Sequence, residues 1–74
     1  MNDKLTKHIV DSTNLEWIQY DKKAKELYIQ FRSGGLYKYF DVPESIFVGL
    51  LGAGSKGRYH AMKIKYNYKY EKLN

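Results

Sequence analysis

The chain has no cysteine, so neither a disulfide nor a thiolate-bound zinc can fasten its fold, and the core must come from aromatic and aliphatic packing. It has one proline and two histidines, which leaves little from which to assemble a metal site. Met1 to Lys7 is polar, and no apolar run approaches the roughly 18 residues needed to cross a bilayer. A secreted or membrane-spanning product is therefore not expected; a cytoplasmic one is. Acid is scarce, with 8 Asp and Glu against 13 Lys and Arg for a net charge of +5, and beyond Ser55 the only acid is Glu71. Over the same stretch stand Lys56, Arg58, Lys63, Lys65, Lys69 and Lys72, so the C-terminal third is a cationic surface that attracts polyanions without sequence preference. Lysine that merely keeps a small protein soluble accounts for the same composition.

What is abundant is tyrosine. There are eight in 74 residues, five of them in Tyr37-Lys38-Tyr39 and Tyr66-Asn67-Tyr68-Lys69-Tyr70. Residues two apart share one face of a strand, so rings and lysines sort to opposite faces. Rings that stack and ammonium groups that pair with phosphate are the components of a single-stranded nucleic-acid site, and tyrosine is equally a way to build a small core.

A chain of 74 residues makes one domain, near the size at which a hydrophobic core barely offsets the entropy of ordering. Residues 1–8 read as a frayed lead-in, and Ile9-Val10 as a short edge strand. Leu15 to Asp21 and Glu26 to Arg32 alternate apolar and polar side chains around Lys22-Lys23-Ala24-Lys25 and predict a β-hairpin. Pairing Asp21 with Glu26 places Ile18, Tyr20, Leu27, Ile29 and Phe31 on a core face and Trp17 and Tyr28 on the other.

Leu36 to Val42 adds a third strand after Ser33-Gly34-Gly35. A three-residue loop there sets Phe31 opposite Tyr37 and Ile29 opposite Tyr39, which brings the tyrosines into the core; a two-residue Gly34-Gly35 turn sets Phe40 opposite Ile29 and sends them out. The first is favoured because it buries more aromatic area without burying Lys38, although it leaves Leu36 and Phe40 on the outer face.

Pro43 suits the first position of a helix carrying Ile46, Phe47, Leu50 and Leu51 in one stripe, which Gly52 and Gly54 stop. Gly49 and Gly52 weaken that helix by about 1 kcal/mol each, so docking must hold it. Ser55 is placed to cap a second short helix with His60 and Ile64 at helical spacing, and Tyr66 to Tyr70 reads as a terminal strand or an extended tail.

The stretch from Ser33 through Tyr37-Lys38-Tyr39 to Pro43, followed by Ser55-Lys56-Gly57-Arg58-Tyr59, resembles the KTSC domain family, named for the C-terminus of some lysyl-tRNA synthetases. The resemblance runs from Ser12 to Leu73, and the central Tyr-X-Tyr is its most recognisable part. The family also occurs as free-standing small bacterial and phage proteins, which is what this chain looks like. No established activity comes with the resemblance; attachment to a synthetase suggests RNA binding. Relatives often follow Arg-Tyr with an aromatic, an asparagine and basic or histidine residues, where this chain has His60-Ala61-Met62-Lys63.

No catalytic constellation stands out. The acids are scattered and none is read as standing at metal-ligand spacing from His8 or His60, and Ser12, Ser33, Ser45 and Ser55 lack a nucleophile-elbow context, so a non-enzymatic protein without metal or cofactor is expected. Gly52-Ala53-Gly54-Ser55-Lys56-Gly57 lacks the strand and Gly-Lys-Ser order of a phosphate loop, leaving either a simple anion site at Ser55 helped by Lys56 and Arg58 or a plain turn.

These residues predict an α+β domain, a three-stranded antiparallel meander packed by two short helices with the C-terminal segment as a candidate further strand. Lys56, Arg58, Lys63, Lys65 and Lys69 are the candidates for phosphate, and Tyr59, Tyr66 and Tyr68 for stacking on RNA or another polyanion. Trp17 and Tyr28 are candidates for stacking or for an interface. With Leu36 and Phe40 they form the alternative, an apolar face for a protein partner or a second copy of the chain.

Overall fold

The computed structural model describes residues 6–74. Five antiparallel strands form one sheet in sequence order: β1 (His8–Ile9), β2 (Leu15–Asp21), β3 (Glu26–Phe31), β4 (Leu36–Tyr39) and β5 (Tyr70–Lys72). Between β4 and β5 run α1 (Glu44–Gly52) and α2 (Lys56–Tyr59), the latter continued by a π-helical segment, His60–Ile64. The α+β class stands, and the expected count of three strands is corrected to five. The two added strands are short, two and three residues, and gain their hydrogen bonds from neighbours rather than from any alternation of their own. Of the expected lead-in, residues 1–5 lie outside the described residues, while His8 pairs with Ile18.

The β2–β3 hairpin has the expected Asp21↔Glu26 pairing. Its loop is closed by the Asp21 carboxylate, whose Oδ1 accepts from the backbone N–H of Lys23 and Ala24 at 3.0 and 3.1 Å, with Lys25 in the left-handed region at φ 58°. A bulge at Glu16 sets Leu15 opposite Phe31 but Trp17 opposite Gln30. The extra residue lets Leu15 and Ile18, three apart, point inward together, and both are fully buried. Asp41 does the same at the end of β4: its left-handed φ of 55° breaks the alternation, so Tyr39 and Val42 both enter the core.

The second loop puts both tyrosines on the inner face, as the three-residue turn requires, but it begins one residue earlier than expected. It comprises Arg32-Ser33-Gly34; Gly34 N–H donates to Phe31 O at 2.9 Å and Phe31 N–H to Gly35 O at 2.8 Å. The partners are therefore Ile29↔Tyr37 and Leu27↔Tyr39. The last loop position needs positive φ, and Gly34 supplies it at 113°, which frees Gly35 to start the strand. The offset from expectation is two residues, so the faces are unchanged.

All helical structure packs on one face of the sheet. Pro43 is extended (ψ 150°) and serves as the N-cap of α1 rather than its first residue. Phe47 stacks on Tyr20 at 4.9 Å and takes the His8 ring edge at 5.5 Å, while Leu50 is fully buried. Ser55 caps α2 as expected, its Oγ accepting from Arg58 N–H at 3.3 Å. In the π segment Lys65 N–H reaches back five residues to His60 O at 2.8 Å, and His60 and Ile64 face the core.

Gly49 has a packing reason beyond any helix propensity. The Tyr59 ring lies against it, with the hydroxyl donating to Ile46 O at 3.1 Å, and a Cβ at Gly49 would overlap that hydroxyl. Alanine gains about 1 kcal/mol of helix propensity there, but displacing a packed ring costs about 1–3 kcal/mol. Gly49→Ala is therefore expected to lower Tm by several degrees. Gly52→Ala, whose Cβ meets nothing within 4 Å, should hold or raise it. Calorimetry on both variants decides: equal melting of the two would remove the packing explanation.

Candidate functional site

A cleft of about 630 Å³ opens between the π segment and the end of the sheet where the β3–β4 loop lies. Sheet residues supply its aromatic walls. Phe31 meets Tyr37 edge-on at 5.5 Å, and Tyr37, Tyr39 and Tyr70 form a triangle of rings with centroids 5.7 to 6.4 Å apart. The triangle follows from register, since Tyr39 pairs with Tyr70 across β4 and β5 and Tyr37 lies two residues along the same face.

Behind this wall the Tyr39 hydroxyl and His60 Nε2 are hydrogen-bonded at 2.8 Å, both residues being buried. Phe31 and Tyr39 present their rings at steep angles to the imidazole, 5.1 and 5.6 Å away. Burial, with the Lys65 ammonium adding to it, pushes the His60 pKa down to about 4, and burial with the neighbouring Tyr37 and Tyr70 pushes Tyr39 up to about 12. The pair is thus neutral across the physiological range. It serves to satisfy two polar groups that the core encloses.

Charge enters at the mouth. Arg32, in the β3–β4 loop, is anchored by Nε donating to Ser12 O at 2.7 Å, and Lys65, just past the π segment, holds its ammonium 5.3 Å from the centre of the Tyr66 ring. Thr13, Asn14 and Ser33 add neutral polar groups. Among the described residues, two cations and no acid line the cleft.

Of the residues singled out from the sequence, Lys65 and Tyr66 meet at this mouth, and Tyr66 is 84% exposed. Arg58, Lys63 and Lys69 are exposed outside it. Lys56 Nζ donates to Ala53 O at 3.0 Å at the end of α1, Tyr59 packs on Gly49, and Tyr68 lies half-buried against the core. Trp17 and Tyr28 are on the opposite face of the sheet, capped by Lys7 and Lys38 ammonium groups at 4.4 and 5.8 Å.

Sequence reasoning missed Arg32, which it placed at the end of a strand, and His60, which it weighed and dismissed as a metal or catalytic histidine and otherwise read as a helical spacing partner. A histidine four residues before Ile64 was the signal for an inward-facing polar group, but its partner Tyr39 depends on register. Among the described residues no cluster of three or more His, Asp or Glu is arranged to hold a metal ion, and no helix is long and apolar enough to cross a membrane.

Comparison with known proteins places this geometry. The family model of the KTSC domain matches residues 11–68. The chain belongs to the KTSC domain family. A crystal structure of a KTSC domain protein from Yersinia pestis superposes with a TM-score of 0.92 at 34% identity, covering 96% of this chain and all of that one. A lysine–tRNA ligase of Nostoc punctiforme is 38% identical over 60 residues, 81% of this chain and 11% of the ligase, so the KTSC chain spans about a tenth of that relative's length. An uncharacterised protein of Stutzerimonas stutzeri is 33% identical over 66 residues, 88% of this chain and 93% of its own.

The buried imidazole makes stability depend on pH. In the unfolded KTSC chain His60 titrates near its ordinary 6.5, and in the folded chain near 4, so between these values the unfolded state holds the extra proton. The contribution is full above pH 6.5 and falls away as the pH drops to 4, by on the order of 3 kcal/mol. His60→Gln, which keeps a hydrogen-bonding group without the titration, is expected to flatten this part of the stability profile. Denaturant melts of both proteins from pH 4 to 7 measure it; identical slopes would contradict the assignment.

Proposed function

We propose that the protein binds RNA or another polyanion through the cleft and the basic surface beside it, and that its role is binding rather than catalysis. The observation that carries this reading is the mouth of the cleft, where Lys65 stands over the exposed ring of Tyr66 and Arg32 faces the same space with no acid among the described lining residues. Single-stranded nucleic acid is recognised by such a pairing of stacking rings with phosphate-neutralising cations. Exposed Arg58, Lys63 and Lys69 extend the positive surface beyond the mouth. The names of several relatives point the same way, since the ligases carrying a matching segment act on a tRNA by name.

A partner protein or second copy on the outer face of the sheet has less support. There Lys38 lies over both the Tyr28 and Phe40 rings, at 5.8 and 5.2 Å, and Lys7 over Trp17, so lysine stems already shield the aromatic surface.

Fluorescence anisotropy of a labelled single-stranded oligoribonucleotide against salt concentration tests the proposal. If about three phosphates are neutralised, log K should fall with log salt at a slope of roughly −2. Lys65→Ala should reduce that slope by about 0.7. Absence of binding at low salt, or binding indifferent to salt, overturns the proposal.

A further inference from the structure

We infer that the cleft is a pocket for one unpaired nucleotide, holding its base against tyrosine rings and its phosphate between Arg32 and Lys65. The inference rests on the polyanion reading and narrows it from a surface to a subsite. A volume of about 630 Å³ is that of a small-molecule pocket rather than a groove for a duplex. Its walls offer accessible π surface at Tyr37, Tyr70 and Tyr66, of which Tyr70 is 57% and Tyr66 84% exposed. Planar aromatic walls and two cations without an acid complement a ligand that is flat at one end and anionic at the other. A nucleoside monophosphate unit is such a ligand; inorganic phosphate and an uncharged nucleoside each satisfy half of the site.

Preorganisation supports the same conclusion. The Arg32 arm is tied by its Nε to Ser12 O at 2.7 Å, and its backbone N–H to Asn14 O at 2.9 Å, so one phosphate-facing group is held before any ligand arrives. The hydroxyl of Tyr39 is already engaged by His60 at 2.8 Å, which leaves the ring wall fixed. Thr13, Asn14 and Ser33 at the rim carry the donors and acceptors that a ribose or base edge requires.

Titration of the ¹⁵N-labelled protein with uridine 5′-monophosphate, uridine, ribose 5-phosphate and inorganic phosphate, followed by NMR, tests the inference. The monophosphate is expected to shift the amides of Ser33, Ala61 and Tyr66 and to bind at least about fivefold more tightly than either ribose 5-phosphate or uridine. Tyr66→Ala should reduce the advantage over ribose 5-phosphate, and Lys65→Ala the advantage over uridine. Both side chains are exposed, so the spectrum of each variant reports directly whether the fold is kept.

A monophosphate that binds no better than inorganic phosphate, or shifts confined to the Arg58 and Lys63 surface, overturns the pocket. The same titration with the oligoribonucleotide separates the two levels. Salt-dependent binding that leaves the cleft amides unmoved refutes the pocket and preserves the polyanion reading, whereas no binding of either ligand refutes both.

Discussion

The hydrogen bond between the Tyr39 hydroxyl and His60 Nε2 is the constraint around which the rest is arranged, because it ties the centre of the sheet to the helical layer at a point where neither group could be left alone. Burying a hydroxyl or an imidazole without a partner costs about 1–3 kcal/mol, a sizeable part of a small domain's stability. Two separate features deliver the partners. The Arg32-Ser33-Gly34 loop fixes the parity that turns Tyr39 inward, and the π segment carries His60 on its core-facing side. Change the loop by one residue and every side chain of β4 exchanges faces.

That dependence explains which parts of the fold were legible. The β2–β3 hairpin was readable from alternation and from Asp21 because both signals are local, and the Asx turn confirms them in hydrogen bonds. The inward face of Tyr37 and Tyr39 followed from loop chemistry, while their partners were misplaced by two residues because two adjacent glycines could each have ended the loop and only one takes positive φ. The bulge at Glu16 and the left-handed Asp41 were invisible: each is a single-residue adjustment, evident only once Leu15 with Ile18, and Tyr39 with Val42, are found buried three apart. Period-two reasoning also failed at Tyr66 to Tyr70, since residues 65–67 turn and the strand begins only at Tyr70.

The site was half legible for a related reason. Lys65 and Tyr66 were readable as chemistry, a cation beside a ring, whatever their conformation. Arg32 and His60 become significant only through their neighbours, which lie 20 and 21 residues away in sequence at Ser12 and Tyr39. The lysines of the C-terminal third also looked equivalent as a row of charges. Lys56, however, is taken up at the end of α1, and Lys65 stands at the cleft. A count of charges could not have distinguished a lysine bonded within the fold from one that lines the cleft.

Building a core from tyrosine has a consequence that leucine would not. A tyrosine ring is too long for its hydroxyl to stay in the hydrocarbon interior unsatisfied, so each must end at a polar partner or at solvent. Tyr20 reaches Val42 O, Tyr59 reaches Ile46 O and Tyr39 reaches His60, and in each case the ring packs while the oxygen bonds. Tyr37 and Tyr70 take the other course and open to solvent beside the same cluster. The cleft is therefore continuous with the core, its walls held by the packing that stabilises the sheet. A ligand stacking there would meet surfaces already fixed in place, and little further ordering of the protein would oppose its binding.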